Sequence, residues 1–147
     1  VVLMIQKLAI PKELRQKFQN RAEYDRSFGE EVCGVMIGTS GNLSGYLQDI
    51  RMIKNVARDR YAGFIMDPEE FLKAVTDTTL YAEEPAYNYL GIIHSHYSDK
   101  PYPSIVDWCS AVEKGMYHGP YVIYSVPEEK FNGFYWNGNE FLKMELL

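Results

Sequence analysis

At 147 residues, 46% of them hydrophobic and 14% aromatic, the chain has material for one folded domain and too much apolar content for a disordered segment. Its formal charge of −5, with 15 Lys and Arg dispersed along the chain, excludes the basic stripe of a nucleic-acid footprint. Two cysteines, Cys33 and Cys109, make neither a disulfide framework nor a metal pair, so a reducing, cytoplasmic setting is expected; the apolar opening at 1–5 is too short for a signal core or a membrane span.

Pro11 suits the first turn of a helix that runs to about Arg26, with Leu14, Phe18 and Ala22 on its apolar face. Lys12, Glu13, Arg15, Lys17 and Arg21 give the other face the character of solvated surface, and Ser27-Phe28-Gly29 ends the helix. Residues 31–38 form an apolar run between turn signals and read as a buried strand. Residues 39–44 are turn-like, 46–55 offer a second and a third strand, and 61–66 are another short apolar run. Asp67-Pro68-Glu69-Glu70 announces a helix, with Asp as N-cap, Pro at N1 and Glu at N3; Phe71, Leu72, Val75, Thr79 and Leu80 form its inward face.

Residues 87–95 read as a central strand. The segment 104–114 has helical spacing, with Ile105, Cys109, Val112 and Met116 inward and Gly115 closing it. Strands at 121–126, 131–136 and 141–147 follow, the last two joined by the Asn137-Gly138 hairpin signal. Strands mixed with three helices, several joined by hairpins, predict an α/β or α+β sheet with mixed pairing in a single domain over 1–147.

The chemistry concentrates where the central strand meets the third helix. On a strand, residues i and i+2 share a face, so His94 and His96 can reach one ion while Ser95 points away. The seven residues 97–103 suffice to turn back over the strand end, and a helix starting at Ser104 brings Asp107 within its first turn. Two imidazoles, a carboxylate and a water suit zinc, whose catalytic sites keep one position open. Taken alone, each piece has a blander reading. A His-X-His pair is usually solvated or satisfied by hydrogen bonds, and Ser104-X-X-Asp107 is a capping box. Their conjunction within fourteen residues favours a site, and Asp107 can serve helix and metal together because a carboxylate has two oxygens. Of the other reactive types, Cys33 and Cys109 read as core, His118 as a turn residue and Trp108 as packing.

His94-Ser95-His96, seven residues, Ser104, two residues and Asp107 resemble the JAMM (MPN+) metalloprotease motif at every defining position. The family's upstream glutamate, separated by a single residue from a Cys-Gly pair opening an apolar strand, is matched by Glu31 in Glu31-Val32-Cys33-Gly34, which leaves Glu30 a solvated neighbour. The resemblance implies an MPN-type, cytidine-deaminase-like architecture: a mixed, mostly antiparallel curved sheet flanked by helices. It implies that His94, His96 and Asp107 bind one zinc ion, that Glu31 is the base for the attacking water, and that Ser104 donates to the oxyanion. One departure is visible: many members carry Pro after the second histidine where Tyr97 stands here, whereas Pro103 before the serine is retained. The shape of the 97–103 loop is therefore the open point.

The implied activity is hydrolysis of an amide after the C-terminal Gly-Gly of a ubiquitin-like or sulfur-carrier protein by a compact, prokaryotic-type member. The substrate tail is expected to add as a strand to the sheet edge near the site. The rival readings are a non-catalytic MPN-type interaction scaffold and a metallohydrolase of small amides; no nucleic acid or membrane partner is expected.

Overall fold

The computed structural model describes residues 4–60, 63–80, 87–108 and 119–147, without the side chains of 26 and 77–80. The elements in chain order are β1 (Lys7–Ala9), α1 (Lys12–Arg26), β2 (Cys33–Gly41), β3 (Ser44–Ile53), α2 (Pro68–Leu80), β4 (Asn88–His96), β5 (Gly119–Ser125), β6 (Lys130–Trp136) and β7 (Phe141–Leu146). The expected α+β class with a mixed, mostly antiparallel sheet is what forms. β2 pairs antiparallel with β3 and β4, β5 with β6, and β6 with β7. β4 and β5 run parallel, from Ile92↔Tyr121 to His96↔Ser125.

The sequence pattern does not reveal β1, three residues being too short for a periodic signal. It pairs in parallel with both β3 and β7 and closes the sheet into a barrel in the order β1-β3-β2-β4-β5-β6-β7. Closure corrects the expectation of a terminal strand edge near the site, because the described strands form a ring. The second and third strands sought in 46–55 are one strand, β3, which continues the β2 hairpin. Their turn is tight, with positive φ at Asn42 (51°) and Leu43 (65°), as a two-residue hairpin of primed type requires.

β2 is buried on both faces, which is why its sequence reads as a continuous apolar run. Met36 joins Leu8, Phe18, Ala22, Ile50 and Ile93 in the core beneath α1. Cys33, Val35 and Ile37 point the other way, toward Ala74 and Phe71 of α2. The α1 face is therefore as expected, but the α2 face is rotated. Ala74 is buried, while Leu72 is 66% exposed rather than inward. Glu70 does not reach back to its own helix end: its carboxylate accepts the Lys54 backbone N–H at 2.6 Å, tying the start of α2 to the end of β3.

Parallel neighbours need a crossover, and residues 97–118 lie between β4 and β5. Of the predicted third helix, 105–108 are helical; from 109 on, including Cys109, Val112, Gly115 and Met116, it lies outside the described residues, as does the expected turn residue His118. Its first turn is oriented differently from expectation. Ile105 is 83% exposed, Trp108 is 47% exposed rather than packed, and Asp107 is the buried residue. The polar contacts of Asp107, described next, account for this rotation.

Candidate metal centre

β4 ends in the expected two-residue period. Ile92, His94 and His96 share one face, and Ile93 and Ser95 the other. His94 is fully buried, and His96, Glu31 and Asp107 are each at most 5% exposed. Ser95 locks the neighbouring strand entry: its N–H donates to the Val32 carbonyl, and its hydroxyl accepts the Val32 N–H, both at 2.9 Å. Glu31 is thereby held beside the histidines although sixty-three positions separate it from His94. Glu30 turns outward to an ion pair with Arg60 at 3.2 Å.

Four atoms converge. His94 Nε2 and His96 Nε2 are 3.1 Å apart, His94 Nε2 lies 3.3 Å from Asp107 Oδ1, and His96 Nε2 lies 3.1 Å from Asp107 Oδ2. Ligands about 2.0–2.1 Å from a tetrahedral zinc ion stand about 3.3–3.4 Å from one another, so these separations fit such an ion. Glu31, His94 and His96 also form a buried group whose ligand atoms lie within 4.8 Å of one another, consistent with a metal site. Glu31 Oε1 stands 3.8 Å from His94 Nε2 and, though buried, has no hydrogen-bond partner among the described residues. A buried carboxylate oxygen aimed at two imidazoles without a donor is what a site for a cation and its water leaves in the protein alone.

Neighbouring groups orient these side chains. His96 Nδ1 donates to the Lys100 carbonyl at 2.7 Å, which turns the Nε2 lone pair toward the cluster. Phe64 lies against the His94 ring at a centroid distance of 4.6 Å, and Tyr121 meets it edge-on at 5.0 Å. The Tyr121 hydroxyl donates to Asp107 Oδ1 at 3.3 Å.

Asp107 caps the helix that follows Ser104 and lies among the histidines. Its Oδ2 accepts the Ser104 N–H at 2.9 Å, and its own N–H donates to Ser104 Oγ at 3.0 Å, a complete reciprocal capping box. The same carboxylate faces both histidines. Ser104 Oγ spends a lone pair on this cap and keeps its proton to donate elsewhere.

Burial acts alike on the two carboxyls, and their partners separate them. It pushes Glu31 up to about 8, with Asp107, Asp59 and Asp99 reinforcing the rise and His96 opposing it. Burial works in the same direction on Asp107, but His94, His96 and the Ser104 N–H overcome it and hold that carboxyl well below the usual range. Burial lowers His94; for His96 the Asp107 hydrogen bond and charge outweigh burial and raise it. Cys33 is no nucleophile: it is buried, its thiol donates to the Ile53 carbonyl at 3.3 Å, and burial pushes it up to about 12.

A cleft is lined by Glu31, His96, Tyr97, Asp99, Ser104 and Val106. The loop left open by Tyr97 is firmly held. Three consecutive carbonyls accept side-chain donors: Asp99 from Ser125 at 2.7 Å, Lys100 from His96, and Pro101 from Asn132 at 2.9 Å. Spacing pointed to His94, His96, Ser104 and Asp107, and the family resemblance to Glu31; the structure brings the five together. Spacing could not show Tyr121, Phe64 or Asn55, whose proximity depends on strand register and on contacts between Asn55 and residues 63–66.

Residues 11–137 match the family model described as prokaryotic homologs of the JAB domain. A curated relative named Desampylase, from Pyrococcus furiosus, is 34% identical over 97 residues, which cover 59% of this chain and 63% of that protein. The match thus spans less than two thirds of the relative's length. A solution structure of a Desulfitobacterium hafniense protein superposes with a TM-score of 0.79 at 22% identity, over 95% of this chain and 91% of that one. A Salinibacter ruber protein gives 0.61 at 21% identity, over 95% and 89%. The crystal structure of a JAB1/MPN domain protein from Archaeoglobus fulgidus gives 0.50 at 14% identity, over 96% and 98%. These structures share the fold.

Proposed function

The chain belongs to the family of prokaryotic homologs of the JAB domain, and from that premise we propose that it is a zinc-dependent peptidase or isopeptidase of the JAMM type. The observation that carries this reading is the convergence of His94, His96 and Asp107 at separations that fit one tetrahedral ion, beside the unpartnered carboxylate of Glu31.

His94, His96 and Asp107 would hold the ion. A zinc ion in such a set lowers the pKa of water to about 7 and polarises a carbonyl. Glu31 takes the proton of the attacking water and returns it to the leaving amine. Its raised pKa equips it to carry a proton near neutrality, and a cation placed beside it draws that value down toward the working range. Ser104, with its proton uncommitted by the cap, donates to the carbonyl oxygen as negative charge develops there. The buried Tyr121 and the Lys100 carbonyl keep Asp107 and His96 oriented.

The substrate we assign is a ubiquitin-like or sulfur-carrier protein cut after its C-terminal Gly-Gly, in the cytoplasm, with 1–147 acting as one domain. The name of the P. furiosus relative, which denotes removal of a SAMP-type protein, supports a protein substrate. With the described strands closed into a ring, the tail lies in the cleft beside Ser104 rather than on a terminal strand.

The test measures zinc content and the cleavage of ubiquitin-like fusions ending in Gly-Gly, with and without chelator. Wild type is expected to cleave only when metal-loaded. Glu31→Gln is expected to keep its metal and lose at least about 10²-fold in kcat, the lower range of positioned acid–base catalysis. Retained activity in Glu31→Gln removes the base assignment. A metal-free protein that binds the fusion without cutting it points instead to the scaffold, and cleavage of small amides alone to the other rival.

A further inference from the structure

Glu31 presents a problem of aim. Its Oε1 has no hydrogen-bond partner among the described residues, so the set of the main chain that carries the side chain bears directly on where that oxygen stands. That main chain is held on both sides by the segment after β3. The Glu31 N–H donates to the Arg60 carbonyl at 2.8 Å, and the Glu31 carbonyl accepts from Asn55 Nδ2 at 3.0 Å.

Asn55 is a buried amide with its whole hydrogen-bonding capacity in use. Nδ2 also donates to the Gly63 carbonyl at 3.1 Å, and Oδ1 accepts the N–H groups of Ala57 and Ile65, each at 3.1 Å. Its backbone adds an isolated antiparallel bridge to Met66. The segment it organises borders the cleft, since a Cβ placed on Gly63 would come within 3.2 Å of Val106 Cγ1. The four bonds go to four different backbone groups. They join two parts of the site that the chain supplies from separate stretches.

We propose that Asn55 is a positioning residue: its amide ties the main chain of Glu31 to that of Gly63, so that the base and the cleft wall facing Val106 keep one fixed relation. The proposal rests on the hydrolytic reading for its catalytic consequence, while the tie itself is a property of the fold. No other side chain of this size both donates twice and accepts twice. Asp keeps the acceptor for Ala57 and Ile65 but sets a second acceptor against two carbonyls, so Asn55→Asp cuts the tie selectively. Asn55→Ser, smaller and uncharged, excludes added charge as the cause and serves if the Asp variant does not fold.

The experiment uses the full zinc-loaded chain and compares both variants with wild type by amide exchange, metal content and cleavage of a ubiquitin-like Gly-Gly fusion. The expected result is exchange at the Glu31 amide at least about tenfold faster, with the 94–96 amides and zinc stoichiometry unchanged. The same variants should lose about 10²-fold in kcat, the scale of a roughly 1 Å misplacement, with a displaced pH–rate profile. A merely structural role would lower stability without moving the pH profile of the folded fraction. Wild-type exchange at Glu31 in folded variants, or wild-type kcat and pH profile despite faster exchange, overturns the proposal. If metal-loaded wild type leaves every fusion intact, the hydrolytic reading fails, and the exchange result alone decides whether Asn55 sets the position of Glu31.

Discussion

Asp107 shows how one side chain can close a helix cap and still stand where the proposed ligand role would need it. Its N–H and Oδ2 close a capping box with Ser104, and its two oxygens face His96 and His94. The motif's spacing is legible because capping and ligation both depend on short separations along the chain. Tyr121 was not legible, since only the parallel β4–β5 register carries its hydroxyl to Asp107 Oδ1 at 3.3 Å. Groups that orient metal ligands typically contribute 10–100-fold in affinity. Tyr121→Phe, which keeps the ring against His94, is therefore expected to weaken zinc binding about tenfold in a competitive chelator titration. An unchanged affinity would reduce Tyr121 to packing.

At the scale of elements, the sequence resolved type better than orientation. β2, β4 and the last three strands follow from apolar runs and turn residues, and α1 from its Leu14, Phe18 and Ala22 stripe. The rotation of α2 away from Leu72, and of the 105–108 turn away from Ile105, came from partners outside those segments: Lys54 for Glu70, and the histidines for Asp107. Close strand approach is another contact the sequence conceals. A Cβ on Gly91 would lie 2.0 Å from the Pro120 carbonyl oxygen, at the junction of the two parallel strands, whereas one on Gly41 would meet nothing within 4 Å. Gly91→Ala is expected to lower stability by about 1–3 kcal/mol, the usual range for forcing atoms into packed structure. Gly41→Ala should stay within about 0.5 kcal/mol. Denaturant midpoints of the two variants provide the comparison, and equal midpoints would refute the strand approach.

For the molecule as a whole, the short β1 matters more than its length suggests, because it joins β3 to β7 and leaves the sheet closed. The buried charges of the centre then bear on global stability. In the metal-free chain burial pushes Glu31 up from 4.5 to about 8, so the unfolded chain holds fewer protons between those values and stability falls as pH rises. His96, raised by Asp107, acts in the same sense above its ordinary 6.5, while the lowered His94 opposes this below 6.5. The unfolding midpoint of chelator-treated protein should therefore fall from pH 6.5 to 8, and Glu31→Gln should flatten that fall; a rising midpoint in this window would contradict the burial of Glu31.

The three anchored carbonyls of the 97–103 loop carry a last consequence, which concerns the substrate. A rim held at Asp99, Lys100 and Pro101 to β5, β4 and β6 is set before anything binds. In the proposed reaction the incoming tail must then supply the adjustment, and a Gly-Gly segment forfeits more backbone freedom on ordering than any other dipeptide. Affinity would have to come from the folded body of the substrate protein, and a free tail peptide should compete poorly with it.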